Sequence, residues 1–173
     1  MLKIHSGIYK GQTINRVKVD TTKETASMVR EAVFNTLYQV YGNVLDLFAG
    51  SGSYGITALS LGAKCVFFVD NNLKAYATIK DNLNKLKAEA FVYRSDYLNY
   101  LNRNQVKYDL VFLDPPYNFN NYDELIEKLI PHLNKQARIV LEVDKATIIK
   151  SFNNLTIIKE KTYGSKKVMI YQI

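Results

Sequence analysis

The feature that most restricts the fold of this chain is an alternation. Between Val44 and Val143, short apolar runs of strand length take turns with amphipathic stretches of helix length. Val44–Phe48, Cys65–Val69, Ala90–Tyr93, Leu110–Leu113 and Arg138–Val143 read as strands. Gly55–Leu61, Asn72–Leu86, Tyr97–Leu101 and Tyr122–Ile130 read as the helices between them, the last stopped by Pro131. Within Asn72–Leu86, the residues Leu73, Tyr76, Ile79, Leu83 and Leu86 fall on one stripe. Strands that alternate with helices imply a mostly parallel sheet, helices on both faces and right-handed crossovers.

The flanks complete this pattern. Leu155–Lys161 and Lys167–Tyr171 flank Gly164 and predict an antiparallel hairpin, which brings the sheet to seven strands. Ser27–Tyr41 predicts a helix with Val29, Val33, Leu37, Val40 and Tyr41 on one face, ended by Gly42-Asn43. Gly7, Gly11 and the alternating Ile4, Ser6 and Ile8 predict a short β-ribbon within residues 1–20. The expected architecture is α/β and Rossmann-like, a seven-stranded, mostly parallel sheet with a terminal antiparallel hairpin. A small N-terminal ribbon and helix precede it, and residues 1–173 form one domain. With 47% apolar residues, a chain of this length buries roughly 70% of its unfolded surface. The single cysteine, Cys65, excludes an intramolecular disulfide. No apolar run approaches the ~20 residues of a membrane span, and the N-terminus lacks a signal-peptide pattern. The expectation is a cytoplasmic protein that binds no membrane.

In such a sheet a ligand lies beyond the carboxyl ends of the strands. Two motifs fall there. The first is Asp46-Leu-Phe-Ala-Gly50-Ser-Gly52-Ser-Tyr-Gly55, between the first strand and its helix. Gly50 and Gly52 permit a tight turn and close approach of backbone to ligand. Gly50, Gly52 and Gly55 also match G-x-G-x-x-G, so a nicotinamide dinucleotide has to be weighed. S-Adenosylmethionine fits better. Asp46 is placed to attract its cationic aminoacyl end, and Asp70, ending the second strand, to accept hydrogen bonds from both ribose hydroxyls. Ser95-Asp96, ending the third strand, reads equally as a contact to the adenine amine or as a helix N-cap.

The second motif is Asp114-Pro115-Pro116-Tyr117, after the fourth strand. The prolines fix two φ angles and contribute no donors, and Pro115 keeps Asp114 out of helical geometry. The result is a rigid turn presenting acceptors. An exocyclic amine on a nucleobase is a poor nucleophile because its lone pair is delocalised into the ring. Acceptors aimed at its hydrogens hold it and favour the pyramidal, nucleophilic form. Asp114 is then the candidate proton acceptor, and Tyr117 the ring on which the base stacks. A nicotinamide-dependent dehydrogenase leaves this motif unexplained.

The net charge is +7, from 23 basic and 16 acidic residues, and favours a polyanionic partner. No His/Cys/Asp cluster has metal-ligand spacing, so no metal is expected.

With both motifs in place, the chain resembles the class I methyltransferases and in particular the RsmD family, which methylates the N2 amine of a guanine in small-subunit ribosomal RNA. Ile4–Gly11 resembles the family's ribbon, Val29–Asn35 its first helix, and Tyr163-Gly164 the turn of its closing hairpin. The family's Arg-Pro-Thr-Thr/Ser-Asp stretch reads Lys23-Glu24-Thr25-Ala26-Ser27 here. The resemblance implies S-adenosylmethionine as cofactor and ribosomal RNA, within a small-subunit particle, as partner. It implies Asp46, Phe48, Ala49, Gly50, Ser51, Gly52, Gly55, Asp70, Asn71, Ser95, Asp96 and Asp114 as cofactor-binding residues. Asp114, Pro115, Pro116 and Tyr117 are the catalytic candidates. Lys3, Lys10, Arg16, Lys18, Arg30, Lys166 and Lys167 are the RNA-binding candidates, and Asn35 a pocket residue. The alternatives are an adenine-N6 methyltransferase acting on DNA or RNA, and a non-catalytic RNA-binding protein that keeps the fold.

Overall fold

The computed structural model describes residues 1–17 and 25–173. Lys18, one of the RNA-binding candidates, lies outside the described residues. Among the described residues the strands are β1 (Leu2–Lys3), β2 (Thr13–Ile14), β3 (Asn43–Leu47), β4 (Cys65–Asp70), β5 (Phe91–Arg94), β6 (Tyr108–Leu113), β7 (Leu133–Asp144), β8 (Thr156–Tyr163) and β9 (Lys166–Gln172). The helices are α1 (Thr25–Leu37), α2 (Ser53–Ser60), α3 (Leu73–Leu86), α4 (Tyr97–Arg103) and α5 (Tyr122–Leu129).

The main sheet has seven strands in the order β5-β4-β3-β6-β7-β9-β8. The first five are parallel, and β9 and β8 close the sheet as an antiparallel hairpin. Strand order reverses between β3 and β6, which puts the ligand crevice at their carboxyl ends. Successive residues of each central strand point to opposite faces, so both faces have a core. Val44, Val66, Phe68, Leu110 and Phe112 pack beneath α1, α2 and α3. Leu45, Leu47, Phe67, Val111 and Leu113 pack on the other face with α4 and α5.

Three expectations are corrected. First, α1 stops at Leu37 instead of Tyr41. Tyr38 turns left-handed at φ 58°, and Arg138 Nη1 donates to the Leu37 carbonyl at 2.9 Å, capping the helix from across the sheet. Second, α2 begins at Ser53, because Gly52 in left-handed geometry serves as its N-cap. Third, the ribbon pairs Leu2–Lys3 with Thr13–Ile14, and residues between are turns. Ile4 is buried but Ile8 is exposed, so the Ile4–Ile8 alternation is not a strand face.

The ribbon docks on the end of α2. Ile8 N and Tyr9 N donate to the Ser60 carbonyl and hydroxyl at 2.8 and 2.9 Å, and Ser60 Oγ donates to Ser6 O at 2.6 Å. Gly7 makes this approach possible. Its φ is +78°, and a Cβ there would lie 1.9 Å from the Ser60 carbonyl oxygen. Gly7→Ala is therefore expected to cost about 2–4 kcal/mol, combining left-handed strain with a backbone clash. Chemical denaturation measures the loss, and limited proteolysis should cut the detached ribbon first.

Candidate active site

The loop after β3 reverses direction within a few residues. Phe48, Gly50 and Gly52 all adopt positive φ, at 69°, 55° and 77°. The amides of Phe48 and Ala49 donate to Val69 O, both at 3.0 Å, and Gly50 N donates to Asp70 Oδ2 at 2.8 Å. A Cβ on Gly50 would meet nothing within 4 Å, so this glycine is needed for its turn and leaves its backbone open to a ligand. Ser51 O accepts from Asn82 Nδ2 at 3.0 Å. Asn82 is fully buried and also bonds Asn15 N and O, tying the loop to the ribbon. Sequence reasoning missed Asn82, because a lone asparagine on the α3 stripe gives no pattern.

Asp46 lies beneath this loop, buried, with Oδ2 accepting from Gly55 N at 2.8 Å. Burial pushes its carboxyl up to about 8, and the charges of Asp114 and Asp70 push the same way, against the Gly55 bond. A buried carboxyl raised this far is under-compensated and favours a cation nearby. The aminoacyl end of S-adenosylmethionine supplies such a cation, so the donor set fits the cofactor.

A cavity of about 40 Å³ continues along the strand ends, lined by Leu47, Phe48, Val69, Asp70, Asn71, Ser95, Asp96 and Tyr97. Asp70 Oδ1 accepts from Asn72 N at 2.8 Å while its Oδ2 holds Gly50, so the carboxylate fixes both loops that border the cavity. Ser95 N donates to Asp70 O, and Ser95 Oγ to Asp96 O. Asp96 is the N-cap of α4, accepting from Asn99 N at 2.9 Å, which holds its carboxyl below the usual range. The cap reading of Asp96 thus holds, and Asp96 borders the cavity as well. Phe48, Tyr97 and Phe119 pack with ring centroids 5.4–5.5 Å apart, joining this cavity to the turn after β6.

That turn carries Asp114. Phe119 N donates to Pro116 O at 2.9 Å and folds it, Pro115 is buried, and Tyr117 projects 85% exposed. The β6–β7 register pairs Leu113 with Leu141 and sets Asp114 level with Glu142. Lys166, at the start of β9, places Nζ 3.9 Å from Asp114 Oδ1 and 3.6 Å from Glu142 Oε1. Tyr54 Oη donates to Glu142 Oε2 at 3.2 Å, and its ring stacks on Phe112 at 4.8 Å. The Asp114 side chain is partly desolvated by its protein neighbours and keeps 44% of its surface open to water. Desolvation, then Glu142, push its carboxyl up to about 7, and Lys166 opposes them. Sequence reasoning missed Glu142 and Tyr54.

The described basic candidates differ in their surroundings. Arg30 is 4% exposed, and its Nη2 donates to Lys3 O at 3.1 Å and Ser27 Oγ at 3.4 Å, so it ties α1 to the ribbon. Burial lowers its pKa. Lys166 faces the carboxylates, and Lys167 Nζ donates to Thr147 O at 2.9 Å. Lys3 and Lys10 are exposed on the ribbon and Arg16 is half-buried. Asn35 lines a separate cavity of about 140 Å³ with Arg30 and Thr57. Among the described residues no helix is long and apolar enough to cross a membrane.

The family model described as Conserved hypothetical protein 95 matches residues 2–172. A Bacillus subtilis protein provisionally named rRNA methyltransferase YlbH is 34% identical over 181 residues, covering 99% of this chain and 98% of its own. The Haemophilus influenzae protein named ribosomal RNA small subunit methyltransferase D is 34% identical over 180 residues, covering 99% and 93%. A solved structure from Escherichia coli, provisionally named methyltransferase yhhF, superposes with a TM-score of 0.89 at 28% identity, covering 99% and 97%.

Proposed function

The chain belongs to the Conserved hypothetical protein 95 family, the RsmD family, and from that premise we propose that it methylates the exocyclic N2 amine of a guanine in small-subunit ribosomal RNA. It is an S-adenosylmethionine-dependent rRNA methyltransferase. The observation that carries the exocyclic-amine reading is Asp114 on a Pro-Pro turn, half-exposed and one strand from the buried Asp46; the choice of guanine N2 follows from the family. Residues 1–173 act as one methyltransferase domain with the ribbon as an extension, working in the cytoplasm.

The bound cofactor supplies a methyl group already activated on a sulfonium. Asp46 compensates the cationic end, and Asp70 and Ser95 border the nucleoside end. Asp114 accepts a hydrogen bond from the amine, orients its lone pair and takes the released proton. Tyr117, exposed beside it, stacks on the base. Lys166 and Glu142 set the charge of Asp114. Lys3 and Lys10, exposed on the ribbon, are the proposed contacts to the RNA backbone.

The charge balance around Asp114 gives a pH test. The ionised carboxylate is the competent form, so the rate rises with pH through the Asp114 titration, near 7. Lys166 holds that titration down, so Lys166→Met moves the rising limb to higher pH. Glu142 holds it up, so Glu142→Gln moves the limb to lower pH. Single-turnover rates against pH check both directions; limbs that coincide in all three proteins would remove Asp114 as the titrating group.

The Haemophilus influenzae relative's name refers to the small ribosomal subunit, which supports small-subunit RNA as the substrate, read here as RNA within the assembled particle. Labelled S-adenosylmethionine should mark unmodified small subunits and leave protein-free RNA nearly unmarked. Equal labelling of the two would overturn the particle reading.

A further inference from the structure

A cavity of about 370 Å³ opens beside β5, on the sheet edge opposite the β8–β9 hairpin. Tyr93 and Arg94 from β5, and Asn99 and Arg103 from α4, form its walls, with Ser95 and Tyr100 between them. Both arginines are exposed, and among the described residues no carboxylate lies within salt-bridge range of either. Two guanidinium groups without acidic partners, beside amide and hydroxyl groups, suit a phosphate, which arginine binds bidentately.

The wall also offers an aromatic face. Tyr93 packs on Tyr100 at 5.1 Å between centroids and remains 40% exposed. Tyr100 is held from beneath by the 2.7 Å contact between its hydroxyl and that of Tyr108, which also accepts from Asn104 Nδ2. Tyr93 is therefore an exposed ring on a fixed platform. Arginines for a phosphate and a ring for a base together describe a nucleotide site.

The position fits a strand that also reaches Asp114. The cavity shares Ser95 with the cavity beside Asp70. β5 and β6 are three strand spacings apart, about 14 Å, at the same end of the sheet.

We infer that this cavity is a second RNA-binding site, which takes a nucleotide flanking the target with its phosphate on Arg94 and Arg103 and its base on Tyr93. The inference rests on the ribosomal RNA reading above and assigns the β5 edge, alongside the ribbon, to substrate binding.

The test is the salt dependence of binding to a fluorescein-labelled single-stranded oligouridine, followed by anisotropy. Removing two phosphate contacts with Arg94→Ala/Arg103→Ala should reduce the slope of log affinity against log salt by about 1.4. Tyr93→Leu should weaken binding about tenfold and leave that slope unchanged. Lys64→Ala/Lys135→Ala removes the same charge at the opposite ends of β4 and β7 and should keep the wild-type slope. Each variant should bind S-adenosylmethionine as wild type does, which reports an intact fold; Arg94→Gln/Arg103→Gln replaces the alanine pair if that pair fails this check. An unchanged slope in the arginine variant, or an equal loss in the lysine variant, overturns the inference alone. Wild-type protein that binds no oligouridine even at low salt overturns the inference, while the ribosomal RNA reading stands or falls separately on the labelling of small subunits.

Discussion

Asp114→Asn is expected to lower methyl transfer by about 10²–10⁴-fold, the usual contribution of a positioned acid–base group, with cofactor affinity nearly unchanged. The amide keeps the shape of the side chain and one acceptor oxygen on the same rigid turn. It loses the charge that Lys166 faces at 3.9 Å and the capacity to take a proton. The loss belongs in kcat, because orientation and proton removal act at the transition state. Calorimetric titration with S-adenosylmethionine, beside single-turnover rates, separates the two effects. A variant that turns over at near wild-type rate would leave the backbone acceptors of the turn as the working groups.

Gly55→Ala should be the most damaging single-methyl change in the cofactor loop. A Cβ at this position would lie 2.2 Å from Phe68 Cε1, 2.7 Å from Phe68 Cζ and 2.9 Å from Val66 Cγ1. Phe68 and Val66 are fully buried in the central sheet, so neither can turn away. Relief requires α2 to lift from β4, which also stretches the 2.8 Å bond from Gly55 N to Asp46. Overpacking of this kind costs about 1–3 kcal/mol or more, which lowers Tm by about 5–10 °C in a domain of this size. Cofactor affinity should fall with it, because Asp46 loses its anchor. Gly62→Ala is the control: its Cβ would meet nothing within 4 Å, so only the strain of φ +104° remains. Thermal melts of both variants check the prediction.

The parallel core was legible because each buried strand is a short apolar run ending at a polar or glycine turn. Asp70 and Asp114 are recognisable because each closes such a run, and Asp46 because it interrupts one just before the glycine loop; parallel pairing brings these strand ends to one edge. What was not legible depends on contacts between distant segments. The end of α1 is set by Arg138, which caps Leu37 from β7. Glu142 reads as one polar residue in the apolar run of β7, and only the β6–β7 register places it beside Asp114. Lys166 reads as one of two adjacent basic residues, yet it turns inward to the carboxylates while Lys167 bonds Thr147. Arg30 reads as a helix-surface cation until the ribbon covers it. A charge count cannot separate these cases, because the number of lysines and arginines is the same whichever way they point.

The central claim is the atom that receives the methyl group. The direct measurement is to incubate unmodified small ribosomal subunits with this protein and isotope-labelled S-adenosylmethionine, digest the RNA to nucleosides, and identify the labelled one by mass spectrometry. Label in N2-methylguanosine, lost with Asp114→Asn, is the predicted result. Label in N6-methyladenosine, or no labelled nucleoside from a folded protein that binds the cofactor, would contradict it.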